Sequence, residues 1–150
     1  MNKIIWYKLD NINELNLILT SFNNLKILTI NNQNINQYEL VIRKCIELFN
    51  SEIKWDQMWN LQNSFDRLNN DQILYVLISD EDPIGFVWLD ETYLYNTFVS
   101  KKREDGMSHW FLQNVIIDRF NNNVEFIELY TEEWNTRSIR FWEKLGFKKL

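Results

Sequence analysis

An α/β (α+β) fold, a mixed and mostly antiparallel sheet flanked by helices on both faces, is predicted by three observations in this sequence. Strand-like runs follow one another closely from Ile73 to Val99. A helix, strand, helix succession then continues to Leu145. Ahead of both lie segments of helical periodicity behind residues able to cap them. The 150 residues, 45% hydrophobic and 15% aromatic, supply apolar area for one core. With no linker rich in Pro, Gly or Ser, a single domain over residues 1–150 is expected.

Taken in order, Lys3 to Leu9 reads as a strand. Asn11 can cap a helix opening at Ile12, with Glu14 reaching back. Leu25 to Ile30 is a second strand. Asn36 to Glu39 repeats the capping pattern and starts a helix to about Phe49, with the apolar stripe Tyr38, Val41, Ile42, Cys45, Leu48 and Phe49. Trp55 to Leu68 is a third, less regular helical stretch. Ile73 to Ser79, Ile84 to Leu89 and Thr92 to Val99 form an antiparallel meander whose first turn is Asp80-Glu81-Asp82-Pro83. The helix Gly106 to Phe120, the strand Val124 to Tyr130 and the helix Asn135 to Leu145 make a run that favours parallel pairing. Pairs and triplets of Asn, such as Asn121-Asn122-Asn123, fall between these segments and read as turns.

A formal net charge of −5 and a pI near 4.9 disfavour a nucleic-acid partner, because phosphate binding needs a basic face. The same acidity favours a cationic acceptor such as an amine. The N-terminus lacks the apolar run and cleavage site of a signal peptide, and no stretch approaches a spanning helix, so a cytoplasmic protein without a membrane partner is expected. Cys45, the single cysteine, lies on an apolar stripe and reads as a buried structural thiol. His109 has no partner nearby in sequence, and with one His and one Cys no ligand spacing suggests a metal.

Glycine is scarce: Gly85, Gly106 and Gly146 stand alone where a typical chain of this length would carry roughly ten. Each sits where a backbone constraint calls for it. Gly85 lies in Pro83-Ile84-Gly85-Phe86-Val87-Trp88-Leu89. Gly106 lies in Arg103-Glu104-Asp105-Gly106-Met107-Ser108, and Gly146 follows Asn135-Thr136-Arg137-Ser138-Ile139-Arg140-Phe141-Trp142-Glu143-Lys144-Leu145. In order and spacing these segments resemble the GCN5-related N-acetyltransferase (GNAT) superfamily. Arg103 and Gly106 match its acetyl-CoA motif, with Ser108 in the last small position. Asn135, Phe141, Lys144, Gly146 and Phe147 match its closing motif, with Ser138 for Ala and Trp142 for Tyr.

The resemblance implies an acetyl-CoA-dependent N-acetyltransferase that transfers acetyl directly to an amine. It assigns the coenzyme A pyrophosphate to the backbone of Arg103, Glu104, Asp105, Gly106, Met107 and Ser108, where a helix N-terminus offers donors and partial positive charge. A plain Asp-Gly turn with Asp105 as N-cap is the structural alternative. A backbone N–H near Phe98 or Val99 would polarise the thioester oxygen. Asn135, Ser138, Phe141 and Trp142 would face the cofactor, although Asn135 is equally a good N-cap.

Glu91 is the candidate general base, with a hairpin-turn carboxylate as its alternative. Family members commonly carry a thiolate-protonating tyrosine where Trp142 stands, so coenzyme A would leave as the thiolate or another acid such as Tyr93, Tyr95 or Tyr130 would protonate it. Trp55 and Trp59, with Asp56, would line an aromatic, acidic acceptor pocket. Members of the family usually continue past Phe147 with further strands, so Lys3 to Leu9 or a second subunit, making a homodimer, is expected to cover that sheet edge. The acidic loop, Trp142 and the short C-terminal segment also suit an alternative, a GNAT-like domain that binds coenzyme A weakly and works as an interaction module.

Overall fold

The computed structural model describes residues 3–53 and 59–150. It contains the strands β1 (Ile4–Leu9), β2 (Leu25–Ile30), β3 (Ile73–Ser79), β4 (Asp82–Leu89), β5 (Leu94–Val99), β6 (Ile127–Glu132) and β7 (Lys148–Lys149). The helices are α1 (Glu39–Glu52), α2 (Leu61–Asn69), α3 (Met107–Asn121) and α4 (Thr136–Leu145). The α+β class and the mostly antiparallel pairing are as expected. Among the described residues, no helix is long and apolar enough to cross a membrane.

Two compact units divide the chain. The first comprises residues 1–21, 91–94 and 106–150; the second comprises Phe22–Asp90 and Tyr95–Asp105. In the second, β2, β3, β4 and β5 form a sheet in that order. Asp80 and Glu81 both take positive φ, 50° and 76°, as a two-residue turn matched to strand twist requires. Strand β3 is almost continuously buried from Leu74 to Ile78, and β4 from Gly85 to Leu89. The α1 stripe lies where expected, with Ile42 and Cys45 buried and Tyr38, Val41, Leu48 and Phe49 packed against the same core. Burial raises the Cys45 thiol to about 12, so it is no nucleophile.

In the first unit the strand order is β6, β1, β7. Strand β1 pairs antiparallel with β6 from Ile4↔Glu132 to Leu9↔Ile127, and with β7 through Tyr7↔Lys149 and Lys8↔Lys148. The N-terminal segment thus occupies the place beside β6. Among the described residues, parallel pairing, expected from the helix, strand, helix run, is confined to the bridge Tyr93↔Glu128.

Other departures have local causes. The helix expected from Asn11 is a single 3₁₀ turn, Ile12–Glu14. Its caps form as expected, but the Asn16 N–H donates to Leu145 O at 2.8 Å and the Ile18 N–H to Gln113 Oε1 at 2.9 Å, so tertiary partners replace helical ones. Helix α1 starts at Glu39 without a side-chain cap from Asn36. Asn60 caps α2 by accepting from the Asn63 N–H at 2.9 Å, and the helix starts at Leu61; Trp55, the expected start, lies outside the described residues.

Candidate active site

The loop between β5 and α3 is the first part of the site. Gly106 is the N-cap of α3, with φ 83° and ψ −8°, a left-handed conformation that side chains resist. No side chain caps this helix end, which corrects the alternative of an Asp105 cap. Glu104 and Asp105 are exposed to solvent. Met107 is buried and Ser108 half-buried in the first turn.

The preceding turn is held by Glu52 at the end of α1. Its carboxylate accepts from Ser100 Oγ at 2.6 Å and from the Lys101 N–H at 2.8 Å. Burial works to raise the Glu52 pKa, but these two bonds and the charges of Lys101 and Lys102 outweigh it and leave the group below its usual value. Arg103 folds back on the same turn, its Nη1 donating to Ser100 O at 3.1 Å and Val99 O at 3.3 Å. Phe98 is buried and packs edge-on against Phe49, with ring centroids 5.3 Å apart.

At the start of α4, Asn135 accepts from the Ser138 N–H at 3.1 Å and is therefore an N-cap. Ser138 Oγ in turn accepts from Trp142 Nε1 at 3.1 Å. Trp142 is buried between Phe141 and Phe147, at centroid distances of 4.9 and 5.3 Å.

A pocket of about 390 Å³ opens in the second unit. Phe49, Trp59, Phe86, Trp88 and Phe98 supply its aromatic wall, and Asn63, Asp66, Arg67, Asn96 and Thr97 its polar one. Trp59 is seated by two bonds with the Asn50 side chain, Asn50 Nδ2 to Trp59 O at 2.9 Å and the Trp59 N–H to Asn50 Oδ1 at 3.2 Å. Trp59 lines this pocket in the company of a cation, Arg67, as well as Asp66. Arg67 Cζ lies 5.2 Å from the Trp88 ring centroid.

The catalytic candidates have different surroundings. Glu91 is exposed in the β4–β5 connection. In the first unit Tyr93 and Tyr130 form an aromatic trio with Trp6, at centroid distances of 6.1 Å for Trp6 to Tyr93, 5.4 Å for Trp6 to Tyr130 and 6.3 Å between the tyrosines. Tyr95 donates its hydroxyl to Asp90 at 2.7 Å, and that bond, with some burial, raises its pKa. His109 is buried, and its Nε2–H donates to Asn16 O at 2.6 Å, the donor role following because a carbonyl only accepts. Among the described residues, no group of three or more His, Cys, Asp or Glu side chains is placed to hold a metal.

Sequence reasoning missed Glu52 and Arg67. The Glu52 contacts span 48 and 49 positions in sequence, and no local pattern announces them. For Arg67 the signal was its place on the polar side of a helix next to an aromatic-rich strand, which many surface arginines share.

Residues 36–147 match the model of the acetyltransferase (GNAT) family. No curated protein matches the chain significantly. Among solved structures, an aminoglycoside acetyltransferase from an uncultured soil metagenomic sample, in complex with sisomicin, superposes with a TM-score of 0.64 at 16% identity, over 82% of this chain and 88% of that one. The PaiA N-acetyltransferase of Thermoplasma acidophilum, in complex with coenzyme A, gives 0.56 at 13% identity, over 83% and 89%. At such identities the likeness is one of fold, whereas the family match spans most of the sequence: the chain belongs to the GNAT acetyltransferase family.

Proposed function

We propose that the protein is an acetyl-CoA-dependent N-acetyltransferase that transfers acetyl directly to an amine. The observation that carries this is the left-handed Gly106 opening α3 without a side-chain cap, inside the family-matched residues 36–147 and in a segment that resembles the family's acetyl-CoA motif. Backbone N–H groups there suit a pyrophosphate, whose charge the helix end also favours. Arg103 to Ser108 would hold that group, with Glu104 and Asp105 pointing to water. Asn135, Ser138, Phe141 and Trp142 would border the cofactor, and a backbone N–H at Phe98 or Val99 would polarise the thioester oxygen.

The acceptor amine enters by the aromatic pocket that Trp59 lines. Glu91 removes the amine proton through water. The nitrogen lone pair then attacks the thioester carbon, the N–C bond forms, the C–S bond breaks with its electron pair leaving on sulfur, and the nitrogen gives up its extra proton to water to become the neutral amide. Trp142 cannot protonate it: an indole N–H is no acid, and this one is bonded to Ser138. Tyr93 and Tyr130 are the candidate acids, and its bond to Asp90 makes Tyr95 a weaker one. With a thiol pKa near 8.5, coenzyme A can also leave as the thiolate.

Acetyl-CoA binding tests the reading. At about a hundred times its Kd it should stabilise the fold by about 2.7 kcal/mol and raise Tm by roughly 5–10 °C. Gly106→Val, confirmed folded by circular dichroism, should lose that shift. A wild-type protein whose Tm is unmoved by millimolar acetyl-CoA would overturn the reading.

A further inference from the structure

The described lining of the pocket sets the guanidinium of Arg67 beside an aromatic cup. Among the described residues, Trp59 Nε1 and Thr97 Oγ1 find no hydrogen-bond partner, and both atoms are closed off in the pocket wall. Trp59 and Arg67 flank the same ring: the Trp59 centroid lies 6.0 Å from that of Trp88, and Arg67 Cζ lies 5.2 Å from it. Arg67 spends Nη1 on Asn96 Oδ1 at 3.1 Å. Among the described residues, no ion pair reaches its guanidinium. Asp66, the carboxylate in the described lining, instead accepts from Gln62 Nε2 at 2.9 Å. Burial also lowers the Arg67 pKa, the mark of a cation partly stripped of water.

We propose that this pocket selects acceptors bearing a carboxylate, the apolar body lying in the cup of Phe49, Trp59, Phe86 and Trp88 and the carboxylate accepting from the Arg67 guanidinium. The inference rests on the reading of the pocket as the acceptor site. Its substrate class is an aromatic or apolar amino carboxylate, which keeps the amine that the transfer needs. A planar guanidinium fits a carboxylate better than a lysine would, and a site that excludes water strengthens the pair.

Two probes identical but for charge test it: para-aminomethylbenzoate and para-aminomethylbenzamide. Their binding is followed by quenching of the pocket tryptophans, and their N-acetylation by mass spectrometry. The carboxylate should bind about tenfold or more tightly than the amide, as one charge-assisted hydrogen bond allows. Arg67→Gln should bring the two to equal affinity, and Arg67→Lys, which keeps the charge and guards against a merely misfolded variant, should retain part of the preference. Equal binding of both probes to the wild type, or a preference surviving Arg67→Gln, would overturn the inference. Acetylation of both probes without preference removes the anion selectivity and leaves the acetyltransferase standing. Carboxylate-selective binding without transfer removes the acceptor-site reading and leaves an anion-selective pocket.

Discussion

Gly146 ends α4 at φ +120°, and a Cβ built there would run into the Glu14 carbonyl oxygen. The backbone conformation alone costs a side chain on the order of 1–3 kcal/mol. The collision adds to this, because Glu14 is itself fixed by the Asn16 N–H bond to Leu145 O and by its ion pair with Lys148 at 2.8 Å. Gly146→Ala should therefore lower Tm by about 4 °C or more, at roughly 2–4 °C per kcal/mol for a chain of this size. A thermal melt within a degree or so of the wild type would show that the α4 terminus relaxes freely. Trp142 is a contrasting case. Its neighbours in sequence pointed to the family motif, but the bond that ties its indole to Ser138 became visible only in the fold.

Among the elements, β1 has the largest consequences. It is the central strand of its sheet, with β6 on one side and β7 on the other. Its inward residues Tyr7 and Leu9 are buried, and Tyr7 Oη donates to Glu143 at 3.1 Å. Removing residues 1–9 would expose the full edge of β6 and leave β7 without its partner. The shortened chain should form aggregates or a larger oligomer in light scattering; a soluble protein of unchanged mass and circular dichroism would refute this role. The Lys3 to Leu9 strand was legible from its composition. Its partners were not, since the register to β6 joins residues more than a hundred positions apart.

At the scale of the whole molecule, one carboxylate in each unit is held below its ordinary pKa, which predicts a loss of stability in acid. Glu14 is held below its usual pKa first by its bond to Lys148 and then by the Asp10 and Asn11 groups, against the effect of burial. Glu52 is lowered by the Lys101 and Ser100 contacts, again against burial. A depressed carboxylate stabilises the fold above its unfolded pKa, about 4.3, and loses that contribution as pH falls through the lower folded value. Thermal melts between neutral pH and pH ~3 should thus fall more steeply for the wild type than for a Glu14→Gln, Glu52→Gln double variant. Parallel curves would remove these two groups from the acid response.

The order of strands and helices, the α1 stripe, the Gly106 loop and the α4 cap were set down in the sequence, because each depends on contacts within a few residues. Periodicity, caps and glycine placement are local physics; the family was pointed to by the resemblance of residues 103–108 and 135–147 to its motifs. The tertiary structure decided what depends on distant partners. It shortened the Asn11 helix to one turn, because Leu145 and Gln113 took its backbone groups. It also set β1 between β6 and β7, put Glu52 under the Lys101 turn, and seated Arg67 with Trp59 around Trp88. A side chain's neighbours across a pocket follow from how strands register and helices pack, and no window along the chain contains that information.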